Sequence, residues 1–123
     1  MGMMDPDSTI LVARGETKTL RLTITQEGGT PLDLTSATLY MTVKRFMDDK
    51  SILIAKVSTN PLQISITRPK HGEAEIYLVS SDTRALAPTD YVYDIWVVLP
   101  GDKRYPVILP GQLTVEASIT TFP

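Results

Sequence analysis

The sequence of 123 residues contains no cysteine, one histidine and one tryptophan. The lack of cysteine excludes disulfides, thiolate nucleophiles and cysteine-ligated zinc, so we expect the fold to be stabilised by packing. Basic residues are not in excess, because 12 Lys and Arg stand against 14 Asp and Glu, a formal net charge of −2. We therefore expect no nucleic-acid partner.

The sequence also lacks any long apolar run. No eighteen apolar residues follow one another, and the N-terminus has no basic segment before its short apolar stretch. These features predict a soluble protein with no membrane partner and no export signal.

Motifs for enzyme chemistry are missing as well. There is no GxxxxGK[ST], GxGxxG or HExxH pattern, which removes the sequence basis for phosphate cradling and zinc hydrolysis. The single histidine, His71, lies in "RPKHGE", where Pro69 and Gly72 indicate a turn. We interpret His71 as a solvated turn residue rather than a catalytic base, since a Ser-His-Asp triad would need two further residues to converge on that turn.

Carboxylates occur in three close pairs: Asp5 and Asp7, Asp48 and Asp49, Glu73 and Glu75. The first two pairs could offer ligands to a hard cation, but they lack the longer spaced pattern of a calcium loop. The third pair shares one face of a predicted strand. Charged side chains in such a position protect a sheet edge from aggregation more often than they perform acid–base catalysis. We predict no catalytic residue, no cofactor and no metal.

Apolar and polar residues alternate along most of the chain, which indicates half-buried β-strands. The clearest segments are "TKTLRLTIT" at 17–25 and "SATLYMTVKR" at 36–45. Further candidates lie at 9–13, 51–57, 62–67, 73–79 and 91–99, followed by "YPVIL" and "QLTVEASIT", with "LPG" as a turn between these two.

Seven or eight short strands predict an all-β fold, an immunoglobulin-like sandwich of two antiparallel sheets. We expect one domain over 1–123, with 1–8 as an N-terminal extension. Helix is limited to at most one short turn in "SSDTRALAP", which Ser81 or Asp82 could cap before Pro88.

The segment "LAPTDYVY" has the spacing of a tyrosine corner, in which a buried tyrosine at the start of a strand bonds a backbone group upstream. Leu86 and Pro88 precede Tyr91, which we predict to be the corner residue. By parity Tyr93 also points into the core, at the position that immunoglobulin domains give to their second cysteine.

The same parity turns Val92, Trp96 and Val98 away from the core. If their strand neighbours the one that carries Tyr40, these four side chains share an outer face, and an exposed apolar face of this kind marks a protein contact. The alternative is that the segment 46–57 folds back over this face and buries Trp96 inside the monomer.

Four ordered segments carry a resemblance to a known family: "VARGETKTLRLTIT", "GGTPLDLTSATLYMTVKR", "ISITRPKHGEAEIYLVSSDTRAL" and "YVYDIWVVLPGDKRYPVILPGQLTVEASIT". Together they cover about Leu11 to Thr120. In order and spacing they resemble the immunoglobulin-like N-terminal domain of phage baseplate upper proteins and related short phage tail proteins.

The resemblance implies a non-enzymatic structural component of a bacteriophage or prophage virion, located in the tail region and made in the host cytoplasm. Its partners would be other tail, baseplate or connector proteins, bound through the sandwich surface and the termini in several symmetric copies. The baseplate proteins continue into long further segments where this sequence ends at Pro123, so we expect an adaptor.

Two other hypotheses remain open. In the first, the chain is a carbohydrate- or ligand-binding sandwich in which Trp96, Tyr40 and Tyr77 are stacking platforms and acidic loops bind calcium. In the second, it is a small hydrolase that uses His71.

Overall fold

The computed structural model describes residues 9–122 and contains eight strands in two sheets. The prediction of an all-β, immunoglobulin-like two-sheet sandwich is confirmed, while residues 1–8, with Asp5 and Asp7, lie outside the described part. The strands are β1 (Thr9–Ala13), β2 (Lys18–Thr23), β3 (Thr38–Lys44), β4 (Ile54–Val57), β5 (Ile64–Arg68), β6 (Glu73–Leu78), β7 (Asp90–Leu99) and β8 (Lys103–Glu116). The predicted short helical turn is present as α1 (Ser80–Thr83), but its N-cap is Val79 rather than Ser81 or Asp82, because Asp82 lies at the third helical position. A 3₁₀ turn at Pro69–His71 also exceeds the predicted limit of one short turn.

The larger sheet has the strand order β1-β8-β7-β3-β4, and the smaller one has the order β2-β6-β5. Every neighbouring pair is antiparallel except β1 and β8, which run parallel. The first and last strands of the chain therefore lie side by side, and β7 lies in the middle of the larger sheet.

The core is formed by alternate residues of both sheets, because successive side chains of a strand point to opposite faces. From β7 it receives Tyr91, Tyr93, Ile95 and Val97, from β3 Leu39, Met41 and Val43, and from the smaller sheet Leu22, Ile64, Ala74, Ile76 and Leu78. The alternation that predicts β2, β3 and β7 is thus observed, with Tyr91 and Tyr93 pointing inward as predicted.

The "LPG" segment does not end a strand, and the prediction of two separate strands there is wrong. β8 runs without interruption from Lys103 to Glu116, with irregular register opposite β7 between Tyr93 and Trp96. The aromatic ring of Tyr93 occupies the position that a Cβ on Gly111 would need. Cross-strand pairing and this close approach therefore override the local turn signal.

An inward-pointing lysine ties α1 to the larger sheet. Lys56 of β4 is only 7% exposed, and its Nζ lies 2.7 Å from Oδ2 of Asp82. The same oxygen accepts the backbone N–H of Val79 at 2.8 Å, which starts the helical turn. Buried Thr83 then accepts the N–H of Gly15 through its hydroxyl oxygen at 2.8 Å. The turn is therefore attached both to β4 and to the loop after β1.

Tyr91 has the geometry of a tyrosine corner. Its side chain is 3% exposed, and its hydroxyl donates a hydrogen bond of 2.7 Å to the carbonyl oxygen of Ala87. Leu86 packs against the core, whereas Pro88 is exposed in the segment that leads into β7. The hydrogen bond fixes where β7 begins and which of its residues point inward.

We expect Tyr91→Phe to lower the free energy of unfolding by about 1 kcal/mol, because it removes one hydrogen bond and leaves the ring in place. The matched control is Tyr40→Phe, since the Tyr40 hydroxyl has no hydrogen-bond partner among residues 9–122, and it should change little. Urea unfolding followed by circular dichroism measures both. Equal losses in the two variants would contradict the role given to the Tyr91 hydroxyl.

Candidate functional site

An apolar row crosses the outer face of the larger sheet. Tyr40 of β3 is the direct cross-strand partner of Trp96 of β7, and Val57 and Pro106 continue the row on β4 and β8. Four strands about 4.8 Å apart make this row about 14 Å long. Tyr40 is 44% exposed and Trp96 is partly exposed. We call Val57, Tyr40, Trp96 and Pro106 the outer row.

Charged groups flank the outer row. The indole N–H of Trp96 donates to Oδ2 of Asp94 at 3.1 Å. Arg104 donates through Nε and Nη2 to the two carboxylate oxygens of Asp102, at 2.9 and 3.4 Å. This hydrogen-bonded carboxylate raises the pKa of Arg104, which stays charged. The apolar centre therefore has a polar rim.

A shallow cavity of about 540 Å³ lies over this part of the sheet. It is lined by Tyr40, Thr42, Asp94, Trp96, Val98, Asp102 and Arg104. A smaller cavity of about 100 Å³ shares Thr42 and Asp94 with it and extends to Val92, Met47 and Leu109. The four residues predicted for a contact face thus lie on one sheet face, with Val92 in the second cavity and the other three in the first.

The segment 46–57 contributes no residue to the lining of the larger cavity, and Trp96 stays partly exposed there, so burial of Trp96 inside the monomer is incomplete. Its last residues form the edge strand β4 beside β3. Phe46 is exposed and lies under the guanidinium of Arg45, with 4.3 Å from Cζ to the ring centroid. Before β4, Met47 lines the smaller cavity on the outer face beside Val92, and within β4 Val57 belongs to the outer row.

The edge strands of the larger sheet are less accessible to a partner chain than the outer face of the sheet. The backbone N–H of Val57 on β4 donates to Oε1 of Gln63 at 3.0 Å, and Lys56 places a charge beneath the same edge. On β1, the N–H of Ala13 donates to Oε1 of Glu16 at 2.8 Å. Side chains that occupy edge groups in this way oppose strand addition by another chain. Contact through the outer face is therefore favoured over strand addition at these two positions of the larger sheet.

The remaining polar candidates lie in the smaller sheet and its turn, where arginines contact them. His71 is exposed, and its Nε2 lies 3.3 Å from Nη2 of Arg68; among residues 9–122 no serine or aspartate forms a hydrogen bond with it. Glu75 accepts hydrogen bonds from Arg21 at 3.1 Å and from the Tyr77 hydroxyl at 3.0 Å. Glu73 forms an ion pair of 3.7 Å with Arg68. These groups stabilise the smaller sheet and its turn.

Tyr77 cannot belong to an aromatic platform with Trp96 and Tyr40. It lies on β6 of the smaller sheet, whereas the other two rings lie on the larger one. The sequence shows which side chains share a strand face, but not in which sheet the strand lies. A three-ring platform is therefore excluded.

No group of three or more histidine, aspartate or glutamate side chains between residues 9 and 122 could hold a metal ion. Asp49 instead accepts the backbone N–H of Phe46 at 3.2 Å. Within the same residues, no helix has the length and apolar character needed to cross a membrane.

No protein-family model matches the chain, and no curated protein matches it significantly. Among solved structures, CopC from Methylosinus trichosporium OB3b is similar with a TM-score of 0.54 at 12% identity, over 99% of this chain and 100% of that one. Murine CRIg matches with a TM-score of 0.44 at 7% identity, over 94% of this chain and 97% of that one. At this identity, the likeness to CopC shows the fold alone. The phage resemblance stays a prediction.

The contrast between the two faces of β7 can be tested with neighbouring valines. Val97 is fully buried and Val98 lines the outer cavity. We expect Val97→Thr to lower the free energy of unfolding by about 1–3 kcal/mol, because it buries a hydroxyl. The isosteric control Val98→Thr should stay within about 0.5 kcal/mol of the parent. Chemical denaturation measures both, and a larger loss at Val98 would contradict the assigned faces.

Proposed function

We propose that this chain is a non-enzymatic structural component of a bacteriophage or prophage virion. It acts as a tail or baseplate adaptor that binds other virion proteins through the outer row and its rim. The observation that carries this proposal is the aromatic pair Tyr40 and Trp96, which residues 9–122 leave exposed or partly exposed on the outer sheet face. The phage assignment rests on the ordered segments that resemble baseplate and short tail proteins.

The outer face has the composition of a docking surface. Exposed aromatic rings contribute most of the binding energy in many protein interfaces, and they lie near the centre of the contact. Here Tyr40 and Trp96 form that centre, and Asp94, Asp102 and Arg104 surround it. Burial of the two rings supplies affinity, while the charged rim selects the partner and the orientation.

The pairing of these polar groups with arginines supports a role in binding rather than catalysis. His71 contacts Arg68 in a turn, and the carboxylates of Glu73 and Glu75 are engaged by arginines. No nucleophile, base and orienting group come together among the described residues. In a virion the adaptor would be present in several symmetric copies, each of which presents the same face to its neighbour.

The test is whether the chain is incorporated into particles. Particles are purified by density gradient from a strain that encodes it, and the chain is quantified by mass spectrometry and located by immunogold labelling. We expect a fixed copy number and label on the tail. The double variant Tyr40→Ala, Trp96→Ala should be lost from particles, whereas Tyr77→Ala on the opposite sheet should be retained.

Two outcomes would count against the proposal in different ways. Absence of the parent chain from particles contradicts the virion role itself. Incorporation of the double variant at the parental level contradicts only the use of the outer row. Circular dichroism of both variants establishes that each one folds.

The cavity of about 540 Å³ favours one second candidate, a carbohydrate-binding module. Its size falls in the range of small-molecule sites, about 300–1,000 Å³. Tyr40 and Trp96 would stack on the apolar face of a sugar, and Asp94 would accept its hydroxyl groups. A glycan array distinguishes the two candidates. The carbohydrate-binding module must bind a glycan, and Asp94→Asn and Trp96→Ala must each abolish that binding, whereas the adaptor requires no glycan binding.

A further inference from the structure

A separate cavity of about 420 Å³ lies where the loop after β1, the turn α1 and the end of the chain meet. It is lined by Arg14, Gly15, Ser80, Arg84, Ser118, Thr120, Thr121 and Phe122. This lining contains two guanidinium groups, four hydroxyl groups and no acidic side chain. We call it the Arg14–Arg84 cavity.

The two arginines differ from all the others in the chain. Arg21, Arg68 and Arg104 form ion pairs with Glu75, Glu73 and Asp102. Arg45 donates to the carbonyl oxygen of Asp90 at 2.7 Å. The side chains of Arg14 and Arg84 have no partner within residues 9–122, and both line the same cavity.

Buried contacts fix the backbone that carries both arginines. The residue after Arg14, Gly15, donates its N–H to the hydroxyl of Thr83, the residue before Arg84, at 2.8 Å. Thr83 is 0% exposed. The backbone N–H of Arg14 also donates to the carbonyl oxygen of Glu116 at 2.8 Å, which attaches it to the end of β8. Two residues far apart in the sequence are therefore held at one place.

The hydroxyl groups add donors from other directions. The side chains of Ser80, Thr120 and Thr121 form no hydrogen bond with the described residues, whereas Ser118 donates to the carbonyl oxygen of Thr120 at 3.0 Å. A carboxylate has two oxygens, and one bidentate guanidinium satisfies both. Two guanidiniums with additional hydroxyls suit an anion with three or four acceptor oxygens better.

We propose that the Arg14–Arg84 cavity is a binding site for a tetrahedral oxyanion, a phosphate or sulfate group. The chain has a net charge of −2, whereas the lining of this cavity carries two positively charged side chains and no negatively charged one. Its volume, in the range of small-molecule sites, leaves room for the organic part of an ester beside the anion. The site is independent of the outer row, which lies on another part of the molecule.

The test is an NMR titration of the ¹⁵N-labelled chain at constant ionic strength. The probes are inorganic phosphate, glycerol 3-phosphate, sodium acetate and sodium chloride. We expect saturable shifts of the backbone N–H signals of Gly15, Ser80 and Thr120 with phosphate or its ester. A stronger response to glycerol 3-phosphate identifies an esterified source, and a response to inorganic phosphate alone identifies the free anion.

Variants separate the site from general charge effects. Arg14→Gln and Arg84→Gln should each weaken phosphate binding about tenfold or more, since each removes a charge-assisted hydrogen bond. Arg21→Gln, an exposed arginine on the smaller sheet, is the matched control and should leave binding unchanged. The spectra of the unliganded variants show whether each one is folded.

Three results would overturn the proposal. The first is a set of shifts with phosphate no larger than those with chloride. The second is acetate binding as tight as phosphate binding, which would assign a carboxylate site instead. The third is phosphate binding retained by the folded double variant Arg14→Gln, Arg84→Gln.

Discussion

The structure depends on the register of β7. The hydroxyl of Tyr91 is hydrogen-bonded to the carbonyl oxygen of Ala87, and together with cross-strand pairing to β3 and β8 this bond holds the inward and outward faces of the ten-residue strand. A shift by one residue would exchange the two faces, because side chains alternate along a strand. Trp96 would then enter the core and Tyr93 would lose its place against Gly111. The register of β7 therefore determines both the packed core and the proposed docking face.

Strand pairing with β7 also determines how β8 and β3 are placed in the larger sheet. β8 pairs with β7 from Asp90 to Leu99, and the ring of Tyr93 lies against Gly111, where no larger residue fits. On the other side β3 brings Tyr40 against Trp96. The outer row is therefore assembled by strand pairing alone, and it rests on a core that leaves little freedom for the backbone beneath it.

Much of this could be predicted from the sequence, because alternation and the tyrosine-corner spacing are local signals. The inward residues of β3 and β7 and the outward position of Trp96 follow directly from them. The continuity of β8 could not be predicted, since its "LPG" segment has the local chemistry of a turn. Lys56 was missed because a charge within a strand is usually solvent-exposed. Arg14 and Arg84 are brought together only by tertiary structure, so no local pattern indicates their cavity.

The central claim is that Trp96 and Tyr40 are covered by a partner when the protein is assembled. Hydroxyl-radical footprinting with mass spectrometry measures the oxidation of each ring in the isolated chain and in purified particles. The account predicts that both rings are oxidised in the isolated chain and protected in particles, while Tyr77 on the other sheet keeps its reactivity. Equal oxidation of Trp96 in the two states would contradict it.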